Sequence, residues 1–479
     1  VKDKYIVVLG AGVCGLTAAR ELARAGKRVL VLEKESEVGG LCRTITVNGC
    51  RVDLGSHRFH TDAYEGNARA VLESLDPKML KSRPRRGLIR FNRSYVPYPP
   101  HVYDLLRTFT LRQLAACGRG WFRQRFRPEP VPGEPNFESH IVGKIGREAY
   151  ELFYRDAAQK HWLLPPRELS VDEVKKRVET TEPMKVLGDA LRAMVGLRKP
   201  KKMTFLYPPG GIGEIPRALA SDLERGGGRV ILTSRPIAIH CDMAGRVSGI
   251  EYKEGGDVSK IPAEAVFSTI PLTELADLLP GEKPQSMTEA LKQFSWRALR
   301  LLYCRVPEIT WTEAETFYFP EMKFPFGRIS RPRLFDVQMG GKGPGELICV
   351  ELACSKDDEI YAAGEGGLIS RLLSPLREAE LLPPDRQPYP EKLFTERLDC
   401  AYAVLHLGWR RSFRLVYDWL TEKSNIYPLG RQGLYLHNNI DQTMDLGYRC
   451  AHHYLDHGPG HRQSWDRDIE QWSNLKIKY

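Results

Sequence analysis

The sequence predicts an α/β protein with α+β insertions, and three stretches carry that prediction. The apolar run Tyr5-Ile6-Val7-Val8-Leu9 leads into Gly10-Ala11-Gly12-Val13-Cys14-Gly15, a helical segment ending at Gly26, and a second apolar run Val29–Leu32 closed by Glu33. A similar rhythm returns from Phe205 to Ile239, where Pro208–Gly213 opens a helix over Ile215–Arg225 and Gly226-Gly227-Gly228 stops it before the run Arg229–Leu232. Near the end a strand is expected at Gly433–His437 and a helix at Met444–His457. Short β runs alternating with helical patterns indicate a parallel sheet with crossover helices.

The α/β domain is therefore expected to be discontinuous, built from 1–75, 205–275 and 395–457. An insertion at 76–204 reads as mainly helical, over 101–127 and 137–196, after a helix at 62–80 and a hairpin at Arg86–Tyr98 that turns at Asn92-Arg93. Strands Val247–Lys253 and Ala265–Ile270 belong to the middle piece. A second insertion, 276–394, is rich in strands and aromatics, and 458–479 is a polar tail. The helical and β-rich insertions are placed to cap the ligand site, because ligands in open α/β sheets lie at the carboxyl ends of the strands.

The first stretch has the chemistry of a Rossmann-like dinucleotide site. Gly10 permits the tight turn, Gly12 leaves room for a pyrophosphate against the backbone, and Gly15 lets helix and strand approach. The helix N-terminus turns unpaired N–H groups and a partial positive charge toward the phosphates. Glu33 can accept from ribose hydroxyls and would repel a 2′-phosphate, which argues against NADP. Lys34–Thr44 then supplies a spacer and the pair Gly39-Gly40. This resembles the extended motif of FAD enzymes, in which a second glycine element returns to the pyrophosphate.

Composition narrows the class. With 42% hydrophobic residues the chain reads as an ordinary globular protein. No run approaches the roughly 18 apolar residues of a membrane span, and no secretory signal is legible at the start. Ten cysteines show neither CxxC nor metal-site spacing, so a reducing, cytoplasmic setting and no metal are expected. The net charge of +11 suits an anionic partner. No nucleic-acid module is legible. Arg119–Arg127 is basic and aromatic together. It reads as a solvated helix face with its aromatics anchored in the core, a peripheral membrane contact, or a funnel for an anionic substrate.

The C-terminal run Asn425–Tyr435, with Gly430-Arg431-Gln432-Gly433, continuing into Asn438–Met444, completes a pattern. It resembles the second FAD signature of the superfamily that holds amine oxidases, protoporphyrinogen oxidases and UDP-galactopyranose mutases, and is most similar to the mutase-like branch. Gly55–Asp62 is similar to the mutase loop beneath the flavin. Tyr154–Leu169 is similar to the helix carrying a substrate-contacting tryptophan, and Phe324–Arg328 resembles the segment with a substrate-diphosphate arginine.

The resemblance implies FAD as cofactor. It places Gly10, Gly12, Cys14 and Gly15, then Glu33, Lys34, Gly40 and Leu41, then Gly55 and His57 against it, and from the C-terminal block Gly430, Arg431, Asn439, Asp441 and Met444. His57, Trp162 and Arg328 are the catalytic candidates: His57 beside the isoalloxazine or as a plain loop histidine, Trp162 stacked on a ligand or packed in the core, Arg328 on a carboxylate or phosphate or in an ion pair. The sequence departs from the mutases at His437, where they have tyrosine, at Tyr402-Ala403 in place of Tyr-Pro, and around Lys199–Phe205, where a second tyrosine has no counterpart. It also departs at Pro236, where relatives have a valine whose N–H meets adenine, so that contact shifts to Ile237 or is lost.

The function implied is an FAD-dependent oxidoreductase that removes two electrons from a small polar or anionic molecule, a sugar derivative being one form. The alternative is a mutase-like, non-redox flavoenzyme acting on a nucleotide sugar. A non-catalytic flavin-binding or membrane-associated scaffold is the third reading.

Overall fold

The computed structural model describes residues 4–60, 66–98, 100, 104, 107–128, 133–177, 203–383, 391–423, 425–459 and 465. The helix expected at 62–80 is found over Gly66–Leu75. The end of the mainly helical stretch expected at 137–196, residues 199–202 and most of the tail lie outside the described residues.

Buried β-branched and leucine residues build the central sheet. Its strands run in the order Arg229–Ile231, Val29–Leu32, Tyr5–Leu9, Asp257–Ser268, Val247–Glu254, Ser234–Cys241, with Ile426–Pro428 added parallel to the end of Asp257–Ser268. Tyr5–Leu9 lies between two parallel partners and is apolar throughout, as a strand covered on both faces must be. One face is covered by the first helix (Val13–Arg24), by Glu214–Arg225 and by the last helix (Ile440–His457). The other carries Leu272–Leu278, Gln285–Leu291 and Trp409–Thr421.

A second seven-stranded sheet runs Glu391–Ala403, Trp296–Val306, Glu346–Cys354, Arg328–Ser330, Thr316–Tyr318, Leu88–Phe91, Ser94–Pro97. The expected hairpin forms its edge, with Asn92 at φ 47° and Arg93 at φ 66°, the left-handed pair that a two-residue turn requires. The mainly helical stretch expected from 137 is built of short helices, Phe137–Ile145, Arg147–Phe153 and Arg155–Trp162, broken at Gly146 (φ 84°) and Tyr154.

The strand expected at Gly433–His437 is not formed. Gly430–Gly433 is a helical turn, and Tyr435 sits at φ 52° with its hydroxyl donating to the carbonyls of Ser295 and Val404 (2.8 Å each). A left-handed residue ends any strand, and the parallel strand is instead Ile426–Pro428.

Candidate functional site

The glycine turn is shaped by what surrounds it. A Cβ at Gly10 (φ 98°) would lie 2.4 Å from Thr269 Oγ1, and one at Gly15 would lie 2.2 Å from the Gly10 carbonyl oxygen. Gly12 is different, since a Cβ there meets nothing within 4 Å. It caps the first helix with no side-chain hydrogen bond. The space left open is thus at the uncapped N-terminus, where a diphosphate binds best. The second glycine element does come back: the Gly39 N–H donates to the Ala11 carbonyl (2.8 Å), and Gly12 and Gly39 form a parallel bridge. Glu33 is buried at the end of its strand and accepts from the Ala11 N–H (2.7 Å) and the Glu35 N–H (3.0 Å). These residues fit the phosphates and ribose of a dinucleotide.

The C-terminal block closes on the same turn. A Cβ at Gly430 (φ 77°) would sit 3.4 Å from Cys14 Cβ, and one at Gly447 only 2.4 Å from the Cys14 carbonyl oxygen. The last helix therefore lies directly on the first. Asn439 caps it by a reciprocal box with Gln442, and half-buried Asp441 occupies its first turn. Cys14 and Met444 are fully packed in the core, and burial pushes the Cys14 thiol far above its ordinary range. Lys34 is exposed; Gly40 and Leu41 are half-buried beside the turn.

A second group gathers where the two sheets meet. Arg328 donates from Nε (2.9 Å) and Nη2 (2.6 Å) to the two oxygens of Glu351, its cross-strand partner, and Glu351 Oε1 also accepts from the Ser56 N–H (2.9 Å). The Gly55 N–H donates to the Tyr303 hydroxyl (3.1 Å). The loop bearing His57 is thereby tied to the Arg328 strand. Burial, then the charges of Arg328 and Arg431, push His57 down to about 3, so its imidazole is neutral at physiological pH. His57 also lines a narrow recess with Asp53, Ser56, Tyr207 and Phe335.

Arg431 donates to the carbonyls of Asn438 (2.7 Å) and Ala401 (3.2 Å) and lies 5.3 Å over the Tyr402 ring. Trp162 is buried, 5.2 Å from the His437 ring and 6.2 Å from Tyr402. Its helix is anchored by Lys160, whose Nζ donates to the carbonyls of Phe319 (2.6 Å) and Phe326 (3.2 Å); burial pushes this amine down to about 7. His57, Arg328 and Arg431 are thus brought together electrostatically, and Trp162 stands behind Tyr402. Cys14, Met444 and Lys34 stand outside this group.

Several residues here escaped the sequence reading. Tyr318 stands opposite Arg328 across paired strands. Burial alone would raise its phenol, yet Arg58, Arg328 and Arg85 together hold it below the ordinary tyrosine range. Arg58 is neutralised by Glu315 (2.8 Å) and Arg328 by Glu351. Among the described residues Arg85 has no carboxylate partner; its buried Nε is unsatisfied there and its guanidinium lies 5.7 Å over Tyr98. Glu351 was detectable in principle, because a single acid inside the run Leu347–Cys354 needs a cation once buried. Asp53 accepts from Thr44 (2.6 Å), Tyr207 and the Ile212 N–H (3.0 Å), and burial still pushes it up to about 6.

Fold and site together define a flavoprotein of the two-signature class. Residues 13–411 match the family model of flavin containing amine oxidoreductases, and the chain belongs to that family. The flavin of this family is FAD, which is the cofactor of this chain. The chain is 24% identical over 330 residues to all-trans-retinol 13,14-reductase of Rattus norvegicus, covering 60% of this chain and 51% of that one. The Homo sapiens reductase is 23% identical over 298 residues, 58% and 49% of the two chains. The chain spans about half the length of these curated relatives. Among solved structures, reduced UDP-galactopyranose mutase superposes with a TM-score of 0.78 at 21% identity, over 95% of this chain and 94% of that one. Putrescine oxidase bound to putrescine gives 0.60 at 16% identity, over 95% and 99%. These likenesses are of fold.

Among the described residues no group of three His, Cys, Asp or Glu could hold a metal. No helix there is long and apolar enough to cross a membrane.

Proposed function

We propose that the substrate is a small polar molecule bearing a carboxylate or phosphate, of which a sugar derivative is one form. The observation that supports this is Arg85, a cation with no carboxylate partner among the described residues, sharing the field at Tyr318 with Arg58 and Arg328. An acid group arriving there completes a charge balance that the protein leaves open. FAD, when bound, supplies the two-electron step. Glycines 10, 12, 15 and 40, Glu33, Gly430 and the first turn of the last helix, with Asn439 and Asp441, hold the cofactor in this reading. His57, uncharged, presents a ring nitrogen to the reacting region without adding positive charge. Tyr318 is poised to exchange a proton, because its lowered pKa narrows the gap to neutral pH. Ten free cysteines support a cytoplasmic setting.

The test is anaerobic titration of the purified yellow protein with sugar acids, nucleotide sugars, other carboxylates and amines. Bleaching of the flavin by acid-bearing compounds supports the proposal. Bleaching only by uncharged or cationic amines overturns the substrate class. Turnover of a nucleotide sugar only after dithionite reduction, without net redox change, would favour the mutase-like alternative, to which the superposition on the mutase lends support.

A further inference from the structure

The basic helix Leu111–Phe126 plays no part in the site described above. Its inward face carries Leu114, Cys117, Gly120, Trp121 and Gln124, all buried or half-buried. The packing is tight at Gly120: a Cβ there would lie 1.8 Å from Glu148 Oε2, and one at Gly146 would lie 2.6 Å from the Gly120 carbonyl carbon. A helix seated glycine against glycine cannot roll about its axis to bury its other side.

That other side is unusual. Phe122 is 59% exposed, Phe126 66% and Leu111 84%. The two phenylalanine rings lie 4.4 Å apart and belong to no core cluster. Leu111, Ala115, Gly118, Phe122 and Phe126 recur at helical spacing, so they form one outward stripe. The reading of aromatics anchored in the core is therefore wrong for both phenylalanines. Arg112, Arg119, Arg125 and Arg127 flank the stripe, exposed and without a carboxylate partner among the described residues, while Arg123 pairs with Glu148 (3.1 Å). No acidic residue occurs between 105 and 128.

We propose that this face docks the protein on an anionic lipid surface, the phenylalanines entering at the headgroup level and the arginines meeting lipid phosphates and carboxylates. Exposed aromatics beside unpaired arginines match the two forces of interfacial binding: apolar burial and attraction to anionic headgroups. The uniform sign of the charge favours lipid over a second copy of this chain, whose identical face would repel it.

The experiment is vesicle flotation of the flavin-loaded 479-residue chain, using phosphatidylcholine alone and phosphatidylcholine mixed with phosphatidylserine. Binding is expected only with the mixed vesicles, weakening as salt is raised. Arg119→Gln with Arg125→Gln should weaken it about fivefold per arginine removed. Phe122→Ser with Phe126→Ser should reduce it at every salt concentration while flavin content and melting temperature stay at wild-type values. Failure to bind mixed vesicles, or binding indifferent to the phenylalanine change, overturns the proposal. A wild-type dimer that the phenylalanine change converts to monomer, without lipid binding, overturns it in favour of self-association.

Discussion

Glu351 holds Arg328 with both oxygens and, through the same Oε1, the backbone N–H of Ser56. One carboxylate thus fixes the distance between the arginine and the loop of His57. Its loss has two consequences, a half-buried cation left alone and a loop set loose. Glu351→Ala should lower stability by about 2–3 kcal/mol in denaturant unfolding, below the full penalty of a buried pair because Arg328 keeps partial access to water. Wild-type stability would remove Glu351 from this role.

Gly12 and Gly15 should fail in different ways. Gly12→Val meets open space, so the protein should fold and melt like the wild-type apoprotein yet purify colourless. Gly15→Val drives a side chain into the Gly10 carbonyl and should impair folding itself. A yellow, fully loaded Gly12→Val protein would refute the placement of the pyrophosphate.

His57 makes the fold sensitive to acid. Its folded-state pKa of about 3 lies below the ordinary 6.5, so between these values the unfolded chain binds the extra proton. Stability then falls as pH drops below about 6.5, and continues to fall until the folded form titrates near 3. On going from pH 6.5 to 5 the wild type should lose about 1–2 kcal/mol more than His57→Gln. Parallel pH curves for the two proteins would show that the imidazole is solvated.

Arg85→Met should leave flavin content unchanged while raising, by about tenfold, the concentration of an acid-bearing substrate needed for half-bleaching. Equal titrations would move the acid group elsewhere.

Pro236 pairs with Tyr252 and Ala238 with Glu251, which leaves Ile237 as a bulge. Its strand begins beside the ribose end of the site, where the Ser234 N–H donates to the Glu33 carbonyl (2.8 Å). The bulge turns the Ile237 N–H out of the ladder, so the adenine contact is expected to move there. Ile237→Pro should release FAD on gel filtration more readily than Ile237→Ala, and equal retention would exclude the shift.

The first glycine block was legible because its turn is set within a few residues, as the crowding of Gly15 by the Gly10 carbonyl shows. The hairpin was legible through its two-residue turn. Leu434-Tyr435-Leu436 misled because burial by tertiary packing imitates a buried strand, while the turn at Tyr435 has no glycine to announce it. The pairs Arg328–Glu351 and Arg58–Glu315 were hidden because each joins segments far apart in the sequence, whose juxtaposition no local pattern sets. The outward phenylalanines were hidden for a related reason: which face of Leu111–Phe126 is covered depends on Gly120 and Gly146, two residues without side chains.

Gly447 rests on the carbonyl of Cys14, so the phosphate cradle is complete only after residue 447 has left the ribosome. A nascent chain has its glycine turn from the outset but lacks the lid of that turn until the last helix emerges. Capture of the cofactor for this reason waits on that helix, and chains released before it should accumulate without colour.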